Sequence, residues 1–114
     1  MGNIYFSNKR KNKFNAKRTK YNGFYYDSIL EANYAEQLDW RIKIGEIKSV
    51  ERQYKISLDV NNVHIANYYM DFKVELPDGR IEYHEVKGAE TALWRMKWRL
   101  AKALNPDIVF VLVK

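Results

Sequence analysis

Apolar side chains recur along this chain with two different periods. Leu30, Tyr34, Leu38 and Ile42 stand four residues apart, the spacing of one helix face. Ser28 with Glu31 three positions on is a capping-box signature, and Gly45 supplies a stop, so a helix is predicted between them. Ahead of it, Asn22-Gly23 marks a turn and Phe24 to Tyr26 a short strand. From Ile47 to Val60 the period falls to two, with Tyr54, Ile56, Leu58 and Val60 alternating against Lys55, Ser57 and Asp59. Asn61-Asn62 offers a tight turn into a second long strand, Val63 to Leu76. Its alternation places Met70, Phe72, Val74 and Leu76 on one face and Tyr69, Asp71, Lys73 and Glu75 on the other.

Pro77-Asp78-Gly79 joins this strand to the next, Arg80 to Lys87, and favours a three-residue loop: proline presets the second position of a type I turn and glycine takes the left-handed position of a bulge. Leu76 then faces Arg80, every facing pair sums to 156, and Asp71 lies opposite Glu85, Tyr69 opposite Lys87. A second helix is predicted from about Thr91 to Leu104, with Leu93, Met96, Leu100 and Leu104 inward and Arg95, Lys97, Arg99 and Lys102 outward. Asn105-Pro106 ends it. Ile108 to Val113 is a continuous apolar run, the pattern of a strand buried on both faces, and the helix before it makes a crossover that sets it parallel to its neighbour. The expected architecture is α/β, in the order helix, three strands, helix, strand, around a central mixed sheet.

The 114 residues suit one domain, and 46% apolar with 30% charged residues is a globular mix. The longest apolar run is far short of the roughly 18 residues that cross a bilayer, so no membrane role is expected, and the absence of cysteine excludes disulfides and thiolate metal sites. A cytoplasmic protein fits. The net charge of +6 is localised: Lys9, Arg10, Lys11, Lys13, Lys17, Arg18 and Lys20 precede the first acid, Asp27, and the rest of the chain nearly balances. Residues 1–22 therefore read as a flexible basic arm that neutralises phosphates, and residues 23–114 as the folded domain. A solvated basic terminus accounts for the same residues.

Asp71, Glu85 and Lys87 carry the candidate chemistry. Two carboxylates facing across paired strands are close enough to share a cation and resist ionising together without one. All-oxygen donors favour Mg²⁺, with Mn²⁺ as substitute. Lys87, on the same face as Glu85, would activate an attacking water or neutralise a phosphate under attack. A cross-strand ion pair on a solvated face explains the same three residues. Glu46-Ile47-Lys48 repeats the tripeptide pattern but has no paired-strand acid. Glu31 is explained by the capping box alone or by a place beside the metal, and Gln53 is a possible substrate contact. His64 and His84 are the only histidines, with His84 on the face opposite Glu85, and Trp94 and Trp98 read as packing residues.

Across residues 24–113 the chain resembles the PD-(D/E)xK nuclease superfamily, whose core runs helix, three strands, helix, strand. Within it, the chain is most similar to a family of small phage-encoded proteins, through Asp27-Ser28 with Glu31-Ala32, Gln53, Met70-Asp71-Phe72, and Glu85-Val86-Lys87-Gly88 with Thr91. Met70 stands where the superfamily's name has proline. The resemblance implies a restriction-endonuclease-like core, metal bound by Asp71, Glu85 and the Val86 carbonyl, Lys87 as catalytic lysine, Glu31 completing the acidic cluster, and kinship with Holliday junction resolvases. It also implies a phage origin, and so a bacterial host cytoplasm.

Together these readings predict a Mg²⁺-dependent endonuclease on DNA, structure-specific for branches, acting as a homodimer and using no nucleotide cofactor. Arg95, Lys97 and Arg99 join the arm as phosphate contacts. The alternatives are a nicking or flap-type phage nuclease, and a non-catalytic nucleic-acid-binding protein.

Overall fold

The computed structural model describes residues 4–11 and 17–114, with side chains from residue 19 onward. In chain order the elements are β1 (Ile4–Lys11), β2 (Lys17–Tyr21), β3 (Phe24–Tyr26), α1 (Ile29–Lys43), β4 (Ser49–Val60), β5 (Val63–Glu75), β6 (Ile81–Val86), α2 (Ala92–Leu104) and β7 (Val109–Val113). The protein is α/β. Its main sheet has the order β4-β5-β6-β7, antiparallel except for β7, which lies parallel to β6 after the α2 crossover. Strands β1, β2 and β3 form a separate antiparallel sheet. Among the described residues, no helix is long and apolar enough to cross a membrane.

Local chemistry sets the element ends. The Ser28 hydroxyl accepts from the Glu31 backbone N–H at 3.1 Å. At the other end of α1, Gly45 at φ +84° lets its own N–H reach the Ile42 carbonyl and that of Glu46 reach Arg41, closing the helix with a Schellman motif. Asn22-Gly23 and Asn61-Asn62 all hold positive φ, as two-residue hairpin turns require. Gly79 donates to the Leu76 carbonyl and Leu76 to the Arg80 carbonyl, each at 2.9 Å, so the three-residue loop forms as expected. The ladder runs from Glu75–Ile81 to Phe72–His84 with every pair summing to 156.

Two apolar clusters sandwich the main sheet. One gathers Ala32, Ala35 and Leu38 of α1 with Tyr21, Tyr26, Phe72, Val74 and Val86. The other gathers Trp94, Trp98 and Ala101 of α2 with Ile56, Leu58, Tyr68, Met70 and Tyr83. Strict alternation would keep Met70 beside Phe72, yet they serve opposite clusters. On β4 the same change separates Val50, packed toward α1, from Tyr54, packed toward α2. The change of face occurs at Gln53, whose φ of +50° is left-handed, and at Asp71, the residue that the β4–β5 register sets opposite it. A left-handed residue within a strand rotates the pleat, which alternation read from sequence does not anticipate. The single apolar face expected for Met70, Phe72, Val74 and Leu76 is therefore divided.

Three other expectations are corrected. Of residues 1–22, expected as a flexible arm, the described ones carry β1 and β2. Lys9, Arg10 and Lys11 stand on β1 and Lys17, Arg18 and Lys20 on β2, while Lys13 lies outside the described residues. Thr19 and Tyr21 are buried and the Tyr21 hydroxyl donates to Asp39 at 2.7 Å, so this segment joins the fold across the expected domain boundary. Helix α2 is rotated by one position: Trp94, Trp98 and Ala101 are buried, whereas Leu93, Met96 and Leu104 are exposed. Both stripes have helical spacing, and the indoles win because they bury more surface. Finally, β7 is an edge strand with Val109 exposed. Its Phe110 and Leu112 pack toward the α2 cluster and Val113 toward the α1 cluster, each only partly buried.

The Gln53 backbone yields a stability test. Gln53→Gly is expected to stay within about 1 kcal/mol of the parent in denaturant unfolding, whereas the β-branched Gln53→Val loses about 1–2 kcal/mol because a branched Cβ clashes in the left-handed region. Equal losses in both would show that the left-handed backbone carries no strain.

Candidate active site

Beyond Phe72–His84 the ladder between β5 and β6 stops. In its place the Asp71 carboxylate accepts the Val86 N–H at 2.8 Å, and the Asp71 N–H donates to a Glu85 oxygen at 3.3 Å. Side chains thus replace backbone in holding the two strands, and a fork opens between them. Because Glu31 rises from α1 on one side of the sheet and Glu85 faces α2 on the other, their carboxylates meet at this fork. Both are buried, at 6% and 5% exposure.

The cap bond to Ser28 uses the Glu31 backbone, which leaves its carboxylate free to enter the fork. The Gln53 amide donates to Glu31 at 3.5 Å and to Asp71 at 3.4 Å, bridging two acids from the strained position on β4. The other Glu85 oxygen accepts from the Trp94 indole N–H at 2.9 Å, and the same N–H lies 2.8 Å from the Tyr68 hydroxyl. Lys87 places its ammonium 5.3 Å from the Trp94 ring centre, on the α2 side with Glu85. All four predicted residues, Glu31, Asp71, Glu85 and Lys87, line one open cleft of about 380 Å³ together with Asp27 and Val86.

Burial dominates the electrostatics, and neighbouring like charges reinforce it. Burial raises the Glu31 carboxyl well above the usual range, and the Asp27 charge adds to it. Burial likewise raises Asp71, followed by the charges of Glu31 and Glu85. Burial and then Glu85 push the Tyr68 hydroxyl upward, keeping it a neutral partner for Trp94. Among the described residues, no three acids or histidines already converge at ligand distance on a point. The donor set nevertheless suits a hard cation, being all oxygen and rich in carboxyl groups. Glu31, Asp71 and Glu85 are the side chains that could hold one.

A family model described as a protein of unknown function, DUF1064, matches residues 11–112. The chain belongs to the DUF1064 family. No curated protein and no solved structure matches it.

Not every predicted contact of this DUF1064 chain gathers at the cleft. Lys97 does, with its ammonium held at 3.4 Å by the Asn67 carbonyl. Arg95 turns to the Glu90 carbonyl, and Arg99 stands exposed on α2 away from the lining residues. Lys20 lies over the Tyr25 ring at 5.6 Å. His84 is buried on the α1 side between Tyr34 and Glu82, as its position opposite Glu85 requires, and burial lowers its pKa. Trp94 and Tyr68 are the site residues that the sequence reading missed. Trp94 stood there as packing only, and the signal was its place in the first turn of a helix capped by Thr91 just after Glu85-Val86-Lys87.

Two measurements follow from this geometry. A carboxyl raised by folding stabilises the fold below its ordinary pKa, and that stability is lost as pH rises through the raised value. Asp71→Asn should therefore raise the melting temperature of cation-free protein more at about pH 9 than at about pH 5, where the unfolded carboxyl is already largely ionised. A pH-independent difference would contradict the raised pKa. Trp94→Phe keeps most of the packing but deprives buried Glu85 of a donor, so denaturant unfolding should show a loss of about 1–3 kcal/mol.

Proposed function

We propose that this protein is a divalent-cation-dependent endonuclease on a restriction-endonuclease-like core, cutting DNA at branches in the manner of a Holliday junction resolvase. The observation that carries this reading is the convergence of Glu31, Asp71, Glu85 and Lys87 on one cleft from α1, β5, β6 and the residue just after β6. Three carboxyl groups crowd here beside Lys87, and an ion bound by Asp71, Glu85, the Val86 carbonyl and Glu31 would offset their repulsion. Mg²⁺, or Mn²⁺ in its place, would supply Lewis acidity and a nucleophile at neutral pH. The chain's own groups do the rest. Asp71 ties the Val86 backbone to the site, Trp94 fixes one oxygen of Glu85, and Lys87 offers its ammonium to a phosphate oxygen as charge builds there. Lys97 beside the cleft, and the basic residues of β1 and β2, supply phosphate contacts that sense backbone path more than sequence. Paired cuts across a four-way junction call for two copies related by a two-fold axis, so the reading includes a homodimer.

The test is cleavage of labelled single-stranded, duplex, forked and four-way-junction DNA with Mg²⁺ or Mn²⁺. Cutting should be abolished by chelator and reduced at least about 100-fold by Glu85→Ala or Lys87→Ala. Paired symmetric nicks confined to the junction support resolution, and cuts beside a single-stranded branch support a flap or nicking role. Folded protein that cuts none of these, yet binds DNA equally well in chelator, would sink the enzyme and leave a binding module.

A further inference from the structure

The acidic cleft continues into a second stretch of about 310 Å³ between the middle of β5 and the start of α2. The two stretches share Asp27, Asp71, Glu85 and Lys87, so a polymer with one phosphate at the carboxylates runs from one into the other. The chemistry of the wall changes on the way. Gln53, Asn67, Tyr69, Leu93, Trp94 and Lys97 line the second stretch. Tyr69 is 53% exposed and Leu93 58% exposed, one contributed by β5 and one by α2. Both were free to be polar at no loss to the core. Tyr68, the preceding residue, is buried against α2, which shows that the helix had the tyrosine it needed for packing. Two lysines stand on the neighbouring elements: Lys97 of α2 reaches the Asn67 carbonyl beside the stretch, and Lys55 of β4 is the cross-strand neighbour of Tyr69.

We propose that this second stretch seats one unpaired nucleobase of the strand being cut, stacked on Tyr69 and flanked by Leu93, with the adjoining phosphate held by Lys97. The inference rests on the reading of the acidic cleft as a phosphodiester site and names the substrate class for it. An aromatic face beside cations is the arrangement that holds single-stranded nucleic acid, because every base offers a π-face and every linkage a charge. A base inside a continuous duplex has both faces covered by its neighbours and cannot take this seat. Strands are therefore selected where pairing is interrupted next to the scissile bond, and Asn67 adds an amide able to meet a base edge without demanding one base.

The experiment uses full-length protein in chelator, so that nothing is cut, and forked DNA carrying 2-aminopurine at successive positions through the branch point. Binding is expected to change the fluorescence of the probe at one unpaired position next to the branch and to leave paired positions unchanged. Tyr69→Ala should weaken binding about ten-fold, and Tyr69→Phe should retain it. Replacing the seated base with an abasic residue should cost the parent the same factor and cost Tyr69→Ala nothing further. Equal abasic penalties in the parent and Tyr69→Ala would overturn the seat, as would a probe response at paired positions. Failure of the nuclease reading is separable, since it shows as absence of cleavage with metal while the binding results stand. Cleavage with no response to Tyr69 or to the abasic residue removes the seat alone, and absence of DNA binding removes both.

Discussion

The Asp71 carboxylate does the work of a missing length of β-ladder. Where β5 and β6 part after Phe72 and His84, one Asp71 oxygen accepts the Val86 N–H and the Asp71 N–H turns to Glu85. Backbone groups in a sheet must be paired or wet, and a short acid at the last rung satisfies one while leaving a gap. Every other element of the site depends on that gap. Without it, Glu31 and Glu85 would be separated by the sheet itself, since they belong to opposite layers. With it, they reach one another edge-on, and the cleft opens to solvent at the place where the strands diverge.

The change of face on β4 and β5 follows from the same constraint. Gln53 and Asp71 occupy facing positions, and the two halves of the hairpin pack under different helices on either side of them. A left-handed glutamine is an unfavourable choice for a strand, and it is retained where its amide lies between two carboxylates. Helix α1 brings Glu31 in its first turn and α2 brings Trp94 in its own, so both helix starts point at the fork. The packing layers and the polar cluster are thus one arrangement. Moving either helix along the sheet would break hydrogen bonds to buried acids as well as apolar contacts, which makes the position of each helix more sharply defined than packing alone would.

Much of this was legible beforehand, and for identifiable reasons. Turns and caps depend on a few consecutive residues, so Asn22-Gly23, Asn61-Asn62, Pro77-Asp78-Gly79, Ser28 with Glu31, and Gly45 all behave as their local chemistry dictates. The loop length set the register from Glu75–Ile81 to Phe72–His84; the expected Asp71–Glu85 and Tyr69–Lys87 pairs fall beyond it, where the strands part, although Asp71, Glu85 and Lys87 still line one cleft. Readings that depended on which of two equivalent faces would be covered fared worse. On α2, the leucine stripe and the tryptophan stripe differ by about one position, and only the sheet beneath decides between them. The apolar run of β7 resembles a strand covered on both faces, but its place at the edge of the sheet leaves it only partly buried. The basic segment showed no helical stripe, and its strand character emerged from burial of Thr19 and Tyr21 against α1, a contact with no local signature.

Taken by itself, the sequence determined the α/β class, the order of elements from α1 to β7, the hairpin register and the identity of the acidic residues with their lysine. These are consequences of short-range periodicity and turn geometry, which act within a few residues and leave little choice. The tertiary structure alone decided that β5 and β6 part at Asp71, that Gln53 adopts a left-handed backbone and bridges two acids, and that Trp94 is a hydrogen-bond donor to Glu85. It also decided that Tyr69 and Leu93 stay exposed beside the carboxylates. Those outcomes come from competition between distant parts of the chain for the same surface and the same hydrogen bonds, and no window of sequence contains both competitors.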